Sequence, residues 1–476
     1  MKKDAHKKHA DKDSAPIKPA EPITVDRRSR TDRKDEGKSM RLAVPLASHA
    51  QWQAPSNRRD PIDLLIESSV GRVPELLPIR YGRMMQSPFA FYRGGAAIMA
   101  ADLATLPSTG ISVQACGDCH LVNFGSFATP ERRQVFAIND FDETLPAPWE
   151  WDVKRLAASF VVASRSNSFS ADEAREAAQA CARSYRERMR EFSKMGVLDV
   201  WYFSIDMETL LEQIEDETAR ERGKKRMDKA RDRNVLDEDF PEMVTFEGGR
   251  HRIRDNPPLI FHLQSEEEAV VEARVRKAFE RYRATLAEDR RLLLDRYEFK
   301  DIAMKVVGVG SVGTRCSIML LMGGADEPLF LQVKEARASV LEPYAGQSTY
   351  PNHGQRVVMG QRLMLSASDI FLGWVEGKDG DHYYIRQMRD MKLKPLVELL
   401  SPGIMTQYAE LCGWALAAAH ARSGDAAKIA GYLGKKEDFD EAIADFSESY
   451  ADQNEKDYKS LVQAVQKGRL EVYIER

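Results

Sequence analysis

The segment CGDCHLVNFG (116–125) sets Asp118 five residues before Asn123, directly after a short apolar run, and Asp140 follows 17 residues beyond Asn123 at the end of VFAIN. A carboxylate, an amide and a second carboxylate in that order suit phosphoryl transfer. The first carboxylate lies beside an acceptor hydroxyl and takes or orients its proton. The amide oxygen and the second carboxylate hold a magnesium ion that bridges the phosphates. On this reading Asp118 and His120 are the catalytic pair, His120 supporting the loop, and Asn123 and Asp140 are the metal ligands. Asp and Asn also cap turns in ordinary loops, their commonest work there. Asp140 at a strand end is what tips the reading towards chemistry.

The same loop admits a second reading. Cys116-Gly-Asp-Cys119-His120 fits C-x-x-C-H, the pattern of c-type haem attachment. Covalent attachment of that kind normally requires export, and the charged start MKKDAHKKHADKDSAPIKPAEPI has no apolar segment behind it. A haem also leaves Asn123 and Asp140 unexplained. Zinc would lack a second cysteine pair to complete four ligands. The two cysteines read as small residues flanking a loop, with an oxidation-sensitive pair as the lesser alternative.

A second constellation comes late in the chain. Gly308-x-Gly310-x-x-Gly313 lies between apolar, strand-like segments. A dinucleotide fold would want a helix after the third glycine and an acidic residue about 20 positions later. Thr314-Arg315 and a β-like run follow instead, which predicts strand–turn–strand. Backbone amides in such a turn close over phosphates with no side chains in the way. Lys334, in LFLQVKEA on the next strand, is placed to hold the α- and β-phosphates; the plainer alternative is an exposed lysine in a hairpin. Its acidic partner is not evident. Glu335 and Glu342 are close in sequence, and the helix expected over 353–367 contains no acid, only Gln355 and Gln361. Arg93 and Arg315 are candidate phosphate or structural arginines.

These residues need elements to position them. A helix is expected over 86–105, opening after Ser87 with Pro88 in its first turn. Short strands follow at 111–115 and 134–139. From Ala171 the recurrence of Ala174, Ala177, Ala178, Cys181, Ala182 and Tyr185 lines one helical face. MVTFEGGRHRI (243–253) alternates about Gly248-Gly249, a hairpin signal. Strands are expected at 302–324, 327–336, 369–377 and 382–388. Helices are expected over 265–295 and around Tyr408 to Ala419.

Five regions follow from this pass. Residues 1–40 form a disordered charged tail, too poor in apolar surface to offset ordering entropy. Residues 41–215 carry the catalytic loop and helices, and 216–300 are a charged linker, hairpin and helix insertion. Residues 301–392 are the Gly-rich β part that binds nucleotide, and 393–476 are closing helices. A net charge of -4 argues against general nucleic-acid binding. Hydrophobic residues at 43% without a long apolar run argue against membrane insertion. Five cysteines in 476 residues make no disulfide framework, so a cytoplasmic, reduced protein is expected.

Protein kinases write the first constellation as H-R-D-x-x-x-x-N followed by D-F-G. Here Gly117-Asp118-x-His120 keeps the Asp-to-Asn spacing, and Asp140-Phe141-Asp142 stands for D-F-G. The Gly-Asp-x-His form is more similar to the aminoglycoside phosphotransferase and choline kinase branch. The order is inverted, because in a kinase the glycines and lysine come first. Read circularly it is restored: glycine loop, Lys334, helix 353–367, two strands, a hinge near Arg386–Met391, the helix ending AAAHARSGD (417–425), then the catalytic loop. New termini at the surface make such a permutation tolerable.

The segments SPFAFYRGGAA, CGDCHLVNFGSFATPER, NDFDETLPAPWEWDVKRLAAS, VGVGSVGTR, LFLQVKEARASVLEPY and ASDIFLGW closely resemble the bacterial domain-of-unknown-function 2252 family. That family's commoner loop has a small residue where Cys119 stands. The resemblances together imply an α+β, two-lobed, protein kinase-like fold, circularly permuted, acting with ATP and magnesium on an unidentified hydroxyl or amine acceptor, a small molecule rather than a protein. In kinase-like folds an Asp at the start of the following helix bonds the catalytic-loop backbone; Asp152 matches by position and also reads as a simple N-cap. The alternatives are a nucleotide-binding pseudokinase or scaffold without turnover, a redox or metal protein built on Cys116, Cys119 and His120, and a non-catalytic interaction protein. Oligomeric state is not legible.

Overall fold

A computed structural model describes residues 18–212, 217–232, 240–262, 268–306, 308–324, 327–388 and 395–474. The architecture is mixed α+β, as composition and periodicity suggest. Its helical part is built on the small-residue stripe at 174–182. Helix Ala171–Phe192 opens with a Ser170/Glu173 capping box, which satisfies two end amides reciprocally. The stripe's Ala174, Ala177, Ala178, Cys181 and Ala182 are all buried. They let helix Pro402–Ser423 approach so closely that a Cβ on Gly413 would strike the Cys181 carbonyl. Helices Trp149–Ser166 and Asp438–Gln466 complete this core around Trp149, Tyr185 and Phe439.

The second part is a six-stranded antiparallel sheet. In spatial order its strands are Gly373–Glu376, His382–Gln387, Pro328–Ala336, Cys316–Gly323, Tyr297–Lys305 and Ile260–Phe261. Helix His353–Met364 lies between the third and first of these in chain order. Because strand side chains alternate faces, Leu329 and Leu331 join Tyr282 and Leu286 beneath one face of the sheet. Phe330, Gln332 and Lys334 therefore point to the other.

Two short pairings frame the early loops. Strand Ser112–Ala115 pairs antiparallel with Leu145–Pro148, so the segments leaving one strand and entering the other, 116–123 and 139–144, emerge side by side. Strand Phe124–Ala128 pairs with Gln134–Ile138. The hairpin at 243–253 forms as Val244–Glu247 with Arg250–Ile253.

Several expectations need correction. The helix at 86–105 is two, Pro88–Gly94 and Ala96–Leu103, broken at Gly95. The helix at 265–295 is also two, Glu268–Arg283 and Glu288–Leu294. A disordered tail through residue 40 does not hold for Arg30–Ser39, which is an α-helix capped by Ser29. It buries little apolar surface, which is why composition misses it. Instead Gly37 abuts the Lys428 carbonyl and Gly431 abuts that of Lys34, a backbone-to-backbone approach open only to glycine. Ion pairs Arg33–Asp425 (2.9 Å) and Lys428–Glu36 (3.1 Å) flank the contact. Residues 1–17 of the expected tail, and 389–391 of the expected hinge, lie outside the described residues. Among the described residues no helix is long and apolar enough to cross a membrane.

Candidate active site

Between the helical part and the sheet lies a cleft of about 530 Å³. It is lined by Asp118, His120, Asn123 and Asp140 from one side and by Gly308, Gly310 and Lys334 from the other. Seven of the eight residues singled out from sequence thus share one concavity. The exception is Gly313, which does not line it. At φ +86° Gly313 turns the chain, and its carbonyl accepts from the Val73 amide at 2.7 Å. Of the two arginine candidates, Arg93 lines the cleft, whereas Arg315 does not and pairs with Asp381 (3.2 Å) and with Glu335 (3.5 Å), the latter a lining residue.

The loop at 116–123 is held from below. The Asp152 carboxylate accepts from the Cys116 amide (2.5 Å) and the Gly117 amide (3.0 Å), and His420 Nε2 lies 3.2 Å away. Asp152 sits inside helix Trp149–Ser166 rather than capping its start, so the N-cap alternative falls. Gly117 adopts φ +84°, and a Cβ there would collide with the Glu143 carbonyl. We expect Gly117→Ala to cost about 2–4 kcal/mol, from the left-handed conformation plus the backbone clash. A lowered thermal midpoint checks this; an unchanged one would mean the loop re-forms elsewhere.

Asp118 is not free in the cleft. Arg155, one turn beyond Asp152 on the same helix, donates to Asp118 Oδ1 from Nε (2.9 Å) and Nη2 (2.5 Å). Arg155 itself is buried over the Tyr92 ring, 4.7 Å from its centre, and donates to the Tyr92 carbonyl. Burial raises the Asp118 carboxyl above the usual range, while Arg155 and Arg93 oppose that rise. Asn123 Nδ2 donates to the Asp118 carbonyl at 2.8 Å, which turns its side-chain oxygen away from that bond. His120 is buried, with Nε2 3.9 Å from Asp118 Oδ2.

Lys334 finds its acid in Asp142, the third residue of Asp-Phe-Asp. Its Nζ lies 2.7 Å from Asp142 Oδ2, which also accepts from Ser311 Oγ (3.1 Å), while Tyr384 Oη donates to Oδ1 (2.6 Å). Burial would raise Asp142, but Lys334, the Tyr384 hydroxyl and Arg386 outweigh it and hold the carboxyl at about 2. Burial and the Asp142 charge push Asp140 the other way, up. None of the partners considered from sequence serves Lys334. Glu335 accepts from the Arg315 amide, and Glu342 from the Ser339 amide. Gln355 and Gln361 lie on helix His353–Met364, whose contribution is Arg356. That side chain is 1% exposed and donates to the carbonyls of Thr144 (2.5 Å), Arg337 (2.7 Å) and Asp142 (2.8 Å).

A model of uncharacterised proteins conserved in bacteria, the domain-of-unknown-function 2252 family, matches residues 72–464. The chain belongs to that family. No curated protein and no solved structure matches it. In this domain-of-unknown-function 2252 protein the matched span takes in Asp118, Asn123, Asp140 and Lys334, whereas the lining residues Arg59 to Ser68 and helix Arg30–Ser39 precede it.

The thiols flanking Asp118 are poorly suited to redox or metal chemistry. Both are buried. The Cys119 hydrogen bond lowers the Cys116 thiol, yet burial and the carboxylates of Asp152, Asp118 and Asp140 push it up to about 11. Cys119 is raised further by burial. The thiolate is the form that binds metal or attacks, and here it is disfavoured. Among the described residues no three His, Cys, Asp or Glu side chains make a metal-sized group. Magnesium does not need one: it is commonly bound by one or two protein ligands together with phosphate oxygens and water. Asn123 and Asp140 fit that mode, since neither side-chain oxygen set is consumed by an ion pair. Chemically the cleft offers a carboxylate for an acceptor proton, a weak divalent-cation seat and a lysine for an anionic group.

Arg155, Asp142, Tyr384 and Arg356 were not found from sequence. Asp142 was within reach, being the residue that replaces glycine in D-F-G. Arg155 left only the three-residue step from Asp152. Tyr384 and Arg356 left no local signal.

Proposed function

We propose that this protein is a kinase-like phosphotransferase that uses ATP and magnesium to phosphorylate a small-molecule hydroxyl or amine. One observation carries the reading: Asp118, Asn123 and Asp140 share a single cleft with Gly308, Gly310 and Lys334, although nearly two hundred residues separate the two groups. In chain order the second group runs strand, glycine turn, strand, lysine strand, helix, two strands. That is the order of a kinase nucleotide lobe, and it supports a circularly permuted kinase-like fold. Lys334 would hold the α- and β-phosphates beneath the amides of 308–311. Asn123 and Asp140 would hold magnesium, which neutralises charge on the phosphates when bound. Asp118, oriented by Arg155, would accept the acceptor proton.

A nucleotide-binding pseudokinase is favoured by a different observation. Lys334 is held by Asp142, and helix His353–Met364 offers it no acid. Thermal-shift titration with ATP and magnesium tests both readings. We expect a rise in midpoint that requires both components and is lost in Lys334→Met. No rise at millimolar ATP would remove both readings; a rise without transfer to any acceptor or to water would select the pseudokinase.

A further inference from the structure

Four arginines lining the cleft play no part in the reading above: Arg72, Arg80, Arg93 and Arg337. Three converge on one turn. Arg72 Nε (3.2 Å) and Arg337 Nη1 (3.4 Å) both donate to the Ser68 carbonyl, and Arg80 Nη1 donates to Ser69 Oγ (2.9 Å). Arg80 Nη2 reaches the Gly94 carbonyl at 3.2 Å, next to Arg93. All their bonds go to neutral acceptors, and among the described residues none of the four pairs with a carboxylate. Arg80 is only 2% exposed, and the buried Nε atoms of Arg80 and Arg93 have no hydrogen-bond partner among the described residues.

Asp118 and Glu398 attract Arg93, and Glu143 and Asp142 attract Arg72, but among the described residues none of these acids forms an ion pair with the cluster. Glu67 is taken by Arg59, Asp118 by Arg155 and Asp142 by Lys334. Glu143 is near enough to feel Arg72 and Arg80, but its Oε2 accepts from the Val340 amide. Burial, with repulsion from Arg80 and Arg337, lowers the Arg72 guanidinium to about 9 against the opposing pull of Glu143 and Asp142. Buried cations are ordinarily paired, because leaving water is costly for an isolated charge. Guanidinium forks match the oxygens of phosphate better than a single lysine does.

We propose that the Arg72–Arg80–Arg93–Arg337 cluster binds the phosphate group of a phosphorylated small molecule, a second ligand separate from any nucleotide held by Lys334. Under the kinase-like reading that molecule is the phosphoryl acceptor; only its role as acceptor rests on that reading.

The test is calorimetric titration of the full chain with inorganic phosphate, without nucleotide, at low ionic strength. Arg93→Gln is the cleanest variant, since among the described residues the Arg93 side chain makes no hydrogen bond; Arg337→Gln is the second, with thermal midpoints of the unliganded proteins reporting folding. Saturable binding, weakened about tenfold or more in each arginine variant but within about twofold of wild type in Lys334→Met, is the expected result. No saturable binding, equal binding to the arginine variants, or loss in Lys334→Met instead would overturn the site. If phosphate binds in this way while ATP and magnesium give no thermal shift, the anion site stands and the kinase-like reading falls.

Discussion

Asp118→Asn is expected to lower phosphoryl transfer by about 10²–10⁴-fold while leaving the ATP-dependent thermal shift in place. The asparagine keeps the shape and can still accept one bond from Arg155, but it cannot take a proton. Arg155 is buried and bonds the Tyr92 carbonyl as well, so the loop retains an anchor after the charge is removed. Under the kinase-like reading the carboxylate form of Asp118 is the one that accepts a proton, and burial raises its pKa. Turnover should therefore fall as pH drops through that raised value, giving an acid limb above the ordinary aspartate range. The residual activity of Asp118→Asn should lack this limb. Single-turnover measurements across pH check both statements. Wild-type-like turnover in the variant would show that Asp118 is only a loop residue and Arg155 its structural partner.

The second large effect is on stability. Arg356→Met should lower the free energy of local opening around 142–144 and 337 by about 3–5 kcal/mol, because it strands buried carbonyls that have lost their donor. One guanidinium holds the carbonyls of Asp142, Thr144 and Arg337, and so pins the helix His353–Met364 to the segment carrying Asp140 and to the end of the lysine strand. The methionine stem preserves much of the volume, which isolates the loss of hydrogen bonds from a cavity effect. Amide hydrogen exchange reads the opening directly. Unchanged exchange at these segments would mean the carbonyls find other donors.

Local physics set much of this protein. The alanine stripe at 174–182, the Gly248-Gly249 hairpin and the alternating strands around Lys334 each act over a few residues, so residue type and spacing were enough to read them. Asp118, Asn123 and Asp140 were legible for the same reason: they lie within 23 residues, on the loops flanking the paired strands Phe124–Ala128 and Gln134–Ile138. What joins distant segments was not. Asp142 meets Lys334 across 192 positions, Arg356 reaches Asp142 across 214, and Tyr384 reaches Asp142 across 242. No periodicity records such pairings, because they depend on how the sheet sits over the loops. The helix Arg30–Ser39 was missed because a glycine-to-backbone contact leaves no apolar signature. The sequence by itself determined which side chains could do chemistry. Their partners came from tertiary packing alone: Arg155 for Asp118, Asp142 for Lys334, and for four cleft arginines no carboxylate among the described residues.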